Sequence, residues 1–314
     1  MDMSTETPTK SPIADELSKM VLVLQLPCGR CGYDLRGLAA DSDCPECGEP
    51  IRLTIIEAVD PASRRLIPIQ NPNTIGNAIL GVVTCFFISS LLAVVAMLIH
   101  APYSLPAPQF VRSLPVTAVV WAAAGFGAIS ILFLAPILKM CQREELIGCQ
   151  SGLMLTVVGI SMWSLSMPLA DSFLVVADSW TEVKITGEHE NGYLLFAMLL
   201  DTCFPVVSAG LVFSGFRKLI PRLGQRSRAF RQAQGSRQRM NDLLATLVIV
   251  LVGRTILVNS PSDSNLSIMG LIIMVMSISF IVIGLGYLLR NTIWIRRALI
   301  TPPPSLSELL RSID

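Results

Sequence analysis

A chain of 314 residues that is 52% hydrophobic and 15% charged, with a mean hydropathy of +0.60, falls outside the range of ordinary soluble proteins. Its formal net charge of +1 looks neutral, but the charges are sharply segregated along the chain. Eight cysteines with no secretory signal ahead of them point to metal ligands or free thiols and away from a disulfide framework.

Residues 1–19, rich in Ser, Thr and Pro, bury nothing and read as a flexible tail. The apolar run Met20–Leu26 is too short for a leader and has no small-residue cleavage site after it, so it reads as a strand. It leads into a cysteine module spanning 20–55 that ends in the strand-like stretch Ile51–Ile56. A linker over 56–74, with Pro61, Pro68 and Pro72, carries Arg64 and Arg65 to the membrane edge.

Six apolar stretches follow, at 75–99, 114–138, 151–170, 193–216, 242–259 and 267–289. They predict an all-α integral membrane bundle of six transmembrane helices over 75–290, headed by a small N-terminal β zinc-ribbon module. Alternate connections hold 21 Lys/Arg against 2, counting the basic cytoplasmic loop 217–241 and, together with Arg290, the tail 291–314 on the rich side. Basic residues near span ends stay in the cytoplasm. The expected location is therefore the inner (cytoplasmic) membrane, multi-pass, with both termini cytoplasmic. Acids in the third connection (Asp171, Asp178, Glu182, Glu188, Glu190 against Lys184) agree. Small residues at Ala123/Gly127, Ala124/Ala128 and Gly210/Ser214 let helix backbones approach one another.

Cys28 and Cys31, then Cys44 and Cys47, form two C-x-x-C pairs separated by twelve residues, each followed by glycine (Gly32, Gly48). A tight turn presents two thiolates to one ion, and glycine lets the backbone fold back after the second. A segment this short cannot bury enough apolar surface to fold alone, so metal binding would supply its folding energy. Zinc is expected in preference to iron. Within 28–52 three Arg face five acids, and nucleic-acid binding, which needs a basic surface, is not expected.

The segment 28–50, Cys-Gly-Arg-Cys-Gly-Tyr with Cys-Pro-Glu-Cys-Gly, resembles the short ribbon that heads a set of uncharacterised bacterial multi-span membrane proteins. It is also similar to rubredoxin-like modules, whose pattern is C-x-x-C-G-Tyr followed by C-P-x-C-G. The resemblance implies that Cys28, Cys31, Cys44 and Cys47 are the ligands. It also keeps iron and membrane-tethered electron transfer as an alternative. The spacer is shorter than in free-standing rubredoxins, and Tyr33 alone gives the module aromatic cover.

Ionisable groups inside spans are functional candidates because they are costly there. Asp201 in the fourth span and Arg254 in the fifth are placed to form an intramembrane polar pair, read either as a structural bridge or as the lining of a solute or ion path. Cys85, Cys141, Cys149 and Cys203 do not pair by spacing, and no enzyme motif is recognisable. The basic stretch 217–239 is expected to face solvent or anionic lipid. Pro302, Pro303 and Pro304 stop the last helix. Ser305 and Glu308 then form a capping box ahead of a short helix with Leu306, Leu309, Leu310 and Ile313 on one face. That helix can dock on the ribbon, the bilayer or a partner. These features favour a membrane protein, with no catalytic role assigned, whose cytoplasmic four-Cys ribbon serves assembly or binds a protein partner. A transporter or channel using Asp201 and Arg254 is the alternative.

Overall fold

The computed structural model describes residues 19–60, 62, 65–66, 69–100, 109–142, 149–181, 202–233, 240–260 and 264–312. The chain divides into two compact units, one formed by Met1–Ile67 with Thr301–Asp314 and the other by Pro68–Ile300.

The larger unit is helical: α2 (Pro72–His100), α3 (Gln109–Arg112), α4 (Val116–Gln142), α5 (Cys149–Thr181), α6 (Phe204–Gly224), α7 (Arg228–Gln232), α8 (Met240–Asn259) and α9 (Asn265–Ile300). Five of these, α2, α4, α5, α8 and α9, contain stretches long and apolar enough to cross a membrane, which marks a multi-pass membrane protein. Each long helix packs on its neighbour in sequence, and α9 returns to pack on α2, so the six long described helices form a closed ring. Phe86 fills its middle, with edge-on ring contacts to Phe213 and Phe216 and a tilted contact to Trp163. The Trp163 indole N–H donates to Ser89 Oγ (2.9 Å), and Ser89 donates to the Ala123 carbonyl (2.6 Å), linking α5, α2 and α4. The outward face is apolar, with Trp121, Leu132, Val248, Ile272, Phe280 and Ile283 exposed, as a lipid-facing surface requires.

Glycines set the closest helix approaches. A Cβ on Gly159 would lie 2.7 Å from the Val212 backbone nitrogen, and one on Gly215 would strike Thr156, so α5 and α6 meet backbone to backbone. Gly253 and Gly270 do the same for α8 and α9. The pattern Ala123/Gly127 takes part, since Ala123 is fully buried and a Cβ on Gly127 would strike Ser164 of α5. Gly210 does not: its nearest neighbour is a leucine methyl at 3.9 Å. Gly215, one residue past the Gly210/Ser214 pattern, is the one that faces α5.

Helix ends depart from the hydropathy limits. The third helix continues from 170 to Thr181 and the last from 289 to Ile300, because hydropathy marks lipid contact whereas a helix continues while its backbone bonds are made. At 36 residues α9 is about 54 Å long, well beyond the roughly 30 Å of a bilayer core. Its last turns are held by Arg296, whose Nε donates to Asn77 Oδ1 of α2 (2.7 Å), with Gly76 packed on Arg296. The stretch expected as a basic loop is partly helical, with α6 running to Gly224 and α7 capped by Ser227, whose Oγ accepts from the Phe230 N–H. Residues 193–201, including Asp201, lie outside the described residues.

The smaller unit contains β1 (Met20–Leu22), α1 (Ile51–Ala58), α10 (Leu306–Leu309) and β2 (Leu310–Ser312). β1 and β2 pair antiparallel, with Met20 opposite Ser312, Val21 opposite Arg311 and Leu22 opposite Leu310. On its other side β1 is bonded to the 37–40 segment: Leu22 N donates to Leu38 O (3.0 Å), Gly37 N to Leu22 O (2.8 Å) and Ala40 N to Met20 O (2.9 Å). The expected strand Ile51–Ile56 is instead α1. Its sequence suits either period, but Ile51, Thr54 and Ile55 bury one face at helical spacing while Leu53 and Ile56 point out. The capping box is present: Ser305 Oγ accepts from the Glu308 N–H (3.3 Å) and Glu308 Oε2 accepts from the Ser305 N–H (2.8 Å). The helix it starts lasts one turn before Leu310 turns extended, so Leu310 leaves the expected helical face, and Ile313 lies outside the described residues.

Candidate metal centre

Two turns of the same construction carry the cysteines. In the first, the Cys28 N–H donates to the Tyr33 carbonyl (2.8 Å) and the Gly32 N–H to the Cys28 carbonyl (2.9 Å). In the second, the Cys44 N–H donates to the Glu49 carbonyl (2.8 Å) and the Gly48 N–H to the Cys44 carbonyl (2.9 Å). Gly32 (φ +79°) and Gly48 (φ +69°) occupy the left-handed region, where a Cβ is strained. Isolated bridges between Pro27 and Asp34 and between Asp43 and Pro50 close the base of each turn. The two turns are thus near copies.

They face each other so that all four Sγ atoms lie within 4.8 Å of one another, with Cys28–Cys47 and Cys31–Cys44 each at 3.6 Å. A tetrahedral ion with Zn–S bonds of about 2.3 Å requires S···S edges of about 3.8 Å. The donor set therefore fits a metal ion such as zinc. Cys28 and Cys44, first in each turn, are buried in the module core, whereas Cys31 is exposed and Cys47 half-buried. Among the described residues this is the one group of three or more His, Cys, Asp or Glu side chains placed to share an ion.

The local field makes the thiols unequal. Backbone N–H groups of Cys31 and Arg30 donate to the Cys28 sulfur and, against the effect of burial, hold its pKa down at about 6. Cys47 accepts from the Glu49 N–H, but burial and the neighbouring thiols outweigh that bond and push it up to about 12. The Tyr33 N–H favours the Cys31 thiolate, yet desolvation and the surrounding sulfurs leave that thiol raised as well. Four thiolates packed at these distances repel one another, and a dication removes that conflict.

The first turn is braced by α1, where the Gly29 N–H donates to Thr54 Oγ1 (3.3 Å) and the Glu57 carboxylate lies against Gly29. Arg30 and Glu49 form an exposed pair at 3.5 Å across the two turns. Cys28 and Cys44 share their core with Leu22, Leu26, Leu35, Ile51, Ile55, Leu309 and Leu310. Thr54 was not legible as part of this site, and Leu309 and Leu310 were legible only as one face of a helix with the ribbon, the bilayer or a partner as its docking surface. The capping box followed by two leucines was the available signal, but nothing local says what those leucines cover.

The polar pair expected within the membrane does not assemble among the described residues, because Asp201 lies outside them. Arg254 is half-buried on α8 next to the Gly253–Gly270 contact and is not an isolated charge. Cys85 and Cys203 are free thiols. Cys149, expected to be unpaired, is disulfide-bonded and buried at the start of α5. No protein-family model, no curated protein and no solved structure matches this chain.

Proposed function

We propose that this chain is a six-span membrane protein whose four-Cys module binds zinc on the cytoplasmic side and serves assembly or docking of a protein partner. The observation that carries the reading is the placement of the Cys28, Cys31, Cys44 and Cys47 sulfurs at tetrahedral spacing on two matching turns. The domain organisation that goes with it is a tail at 1–19, a metal module at 20–55, a linker at 56–74, a transmembrane domain at 75–290 and a cytoplasmic tail at 291–314.

Support for six crossings comes from the helix ring. The first turn of α2 and the last turns of α9 meet at Arg296 and Asn77, which supports an antiparallel first and last span and hence an even number of crossings. The five apolar helices require one more, and α6, packed between α5 and α8, is the available element. The bias in Lys/Arg favours the cytoplasm for the end that carries Lys139, Arg217, Arg222 and Arg296. The basic stretch 217–239 suits anionic headgroups at that surface.

Zinc is favoured over iron because Tyr33 is 40% exposed and gives little cover to a redox centre. Metal analysis with a visible spectrum on detergent-purified protein tests the reading. One zinc per chain and a colourless protein is the expected result. A coloured iron site would favour electron transfer, and no bound metal would remove the metal centre altogether.

A further inference from the structure

The module that holds the four cysteines is not complete in the N-terminal part of the chain. Its sheet gets its second strand from β2, and Val23 N also donates to the Leu309 carbonyl (2.9 Å). Leu309 is 1% exposed and Leu310 7%. They supply two of the ten apolar side chains in the module core, the same core that contains Cys28 and Cys44.

The opposite side of β1 rests on residues 37–40, which lie in the loop between the two cysteine turns. That loop is tied at one end through Cys31 and at the other through Cys44, so an ion bound to both fixes the surface on which β1 lies. A core of ten buried side chains, two of them the metal-ligand candidates themselves, is too small to hold this arrangement unaided. The metal and segment 305–312 therefore stabilise one another through a shared core and a shared strand. Resting on the metal-centre reading above, we propose that segment 305–312 is a metal-gated strap: an ion on Cys28, Cys31, Cys44 and Cys47 holds it against β1, and loss of the ion releases it.

Linkage makes the coupling reciprocal: if the ion tightens the strap, the strap tightens the ion by the same factor, about tenfold for an ordinary coupling. In the intact protein in detergent, hydrogen exchange followed by mass spectrometry reads the strap at 20–23 and 309–312, with α2 amides around Phe86 as the internal standard. Removing zinc with a chelator is expected to raise exchange at 20–23 and 309–312 at least about tenfold and to leave α2 unchanged. Zinc titration gives the reverse arm. Leu309→Asp, or deletion of 305–314, is expected to weaken zinc binding about tenfold, whereas Leu306→Asp, at a side chain 49% exposed, leaves it unchanged.

Zinc bound at one per chain with strap exchange unaffected by the chelator, and with Leu309→Asp binding zinc as tightly as wild type, would overturn the strap and leave the metal centre standing. A chain that binds no zinc at all would overturn both. Unchanged helical circular dichroism in each variant shows that the bundle has folded.

Discussion

Gly32 and Gly48 occupy matching places in the two cysteine turns, and both need a backbone conformation that a side chain makes costly by about 1–2 kcal/mol. Since a Cβ at either site would meet nothing within 4 Å, the cost of an alanine there is conformational and not steric. Gly32→Ala and Gly48→Ala should each weaken zinc binding by roughly 5–30-fold, read in a competition titration against a chromophoric chelator. Equal affinity would show that the turns are not held in this form. Cys44→Ser removes a buried sulfur and should take the zinc content from one per chain to near zero, which metal analysis reads directly. Acid acts on the same atoms. The Cys28 pKa is lowered from 9.0 to about 6, so its contribution to stability is fully present above pH 9 and is lost as pH falls through about 6. Zinc must displace protons from the remaining thiols, so its affinity should fall as pH falls, read by competition titration at about pH 7.5 and about pH 5.5. Equal affinity at the two values would show that the thiols are not the ligands. At this scale the sequence was highly informative, because two C-x-x-C pairs with following glycines mark both the four clustered cysteines and the turns that carry them. The ranking of the thiols was not legible, since it depends on where the N–H groups of Cys31, Arg30 and Glu49 point.

Elements were legible where their cause is local. The apolar stretches named α2, α4 and α8 closely, because lipid imposes the same demand on every residue of a span. Other elements were decided by partners distant in sequence. The stretch Ile51–Ile56 satisfies period two and period 3.6 alike, and packing against the first cysteine turn selects the helix. The end of α9 is carried past its apolar stretch by Asn77, more than two hundred positions earlier. Helix seams make a direct test of the ring. Gly159 meets the α6 backbone, whereas a Cβ on Gly125 would meet nothing within 4 Å. Gly159→Leu should destabilise the bundle by about 1–3 kcal/mol and lower its melting temperature in detergent. Gly125→Leu should leave the melting temperature where it was. If the two behave alike, α5 and α6 do not approach as described.

For the whole molecule, the even number of crossings is the most exposed claim. Reporter domains fused ahead of residue 20 and after residue 312 should both report the cytoplasmic side. A reporter inserted within 182–192 should report the opposite one. Ends on opposite faces would remove one span and reopen the arrangement of the ring. The proposed topology rests on charge counting, because orientation depends on where Lys and Arg stand in the sequence and not on how helices pack. The closed ring and the union of the chain's two distant segments were invisible to it, being relations between elements that carry no mark of each other.

The pairing of Leu22 with Leu310 spans about 290 residues and therefore has a meaning in time. β1 leaves the ribosome before α2 has been made, and its partner follows only after α9. At 5–20 residues per second, roughly 15–60 s separate the two. Throughout that interval the cysteine turns stand beside an unfilled groove, and a completed module at the membrane certifies that translation has passed every helix between them.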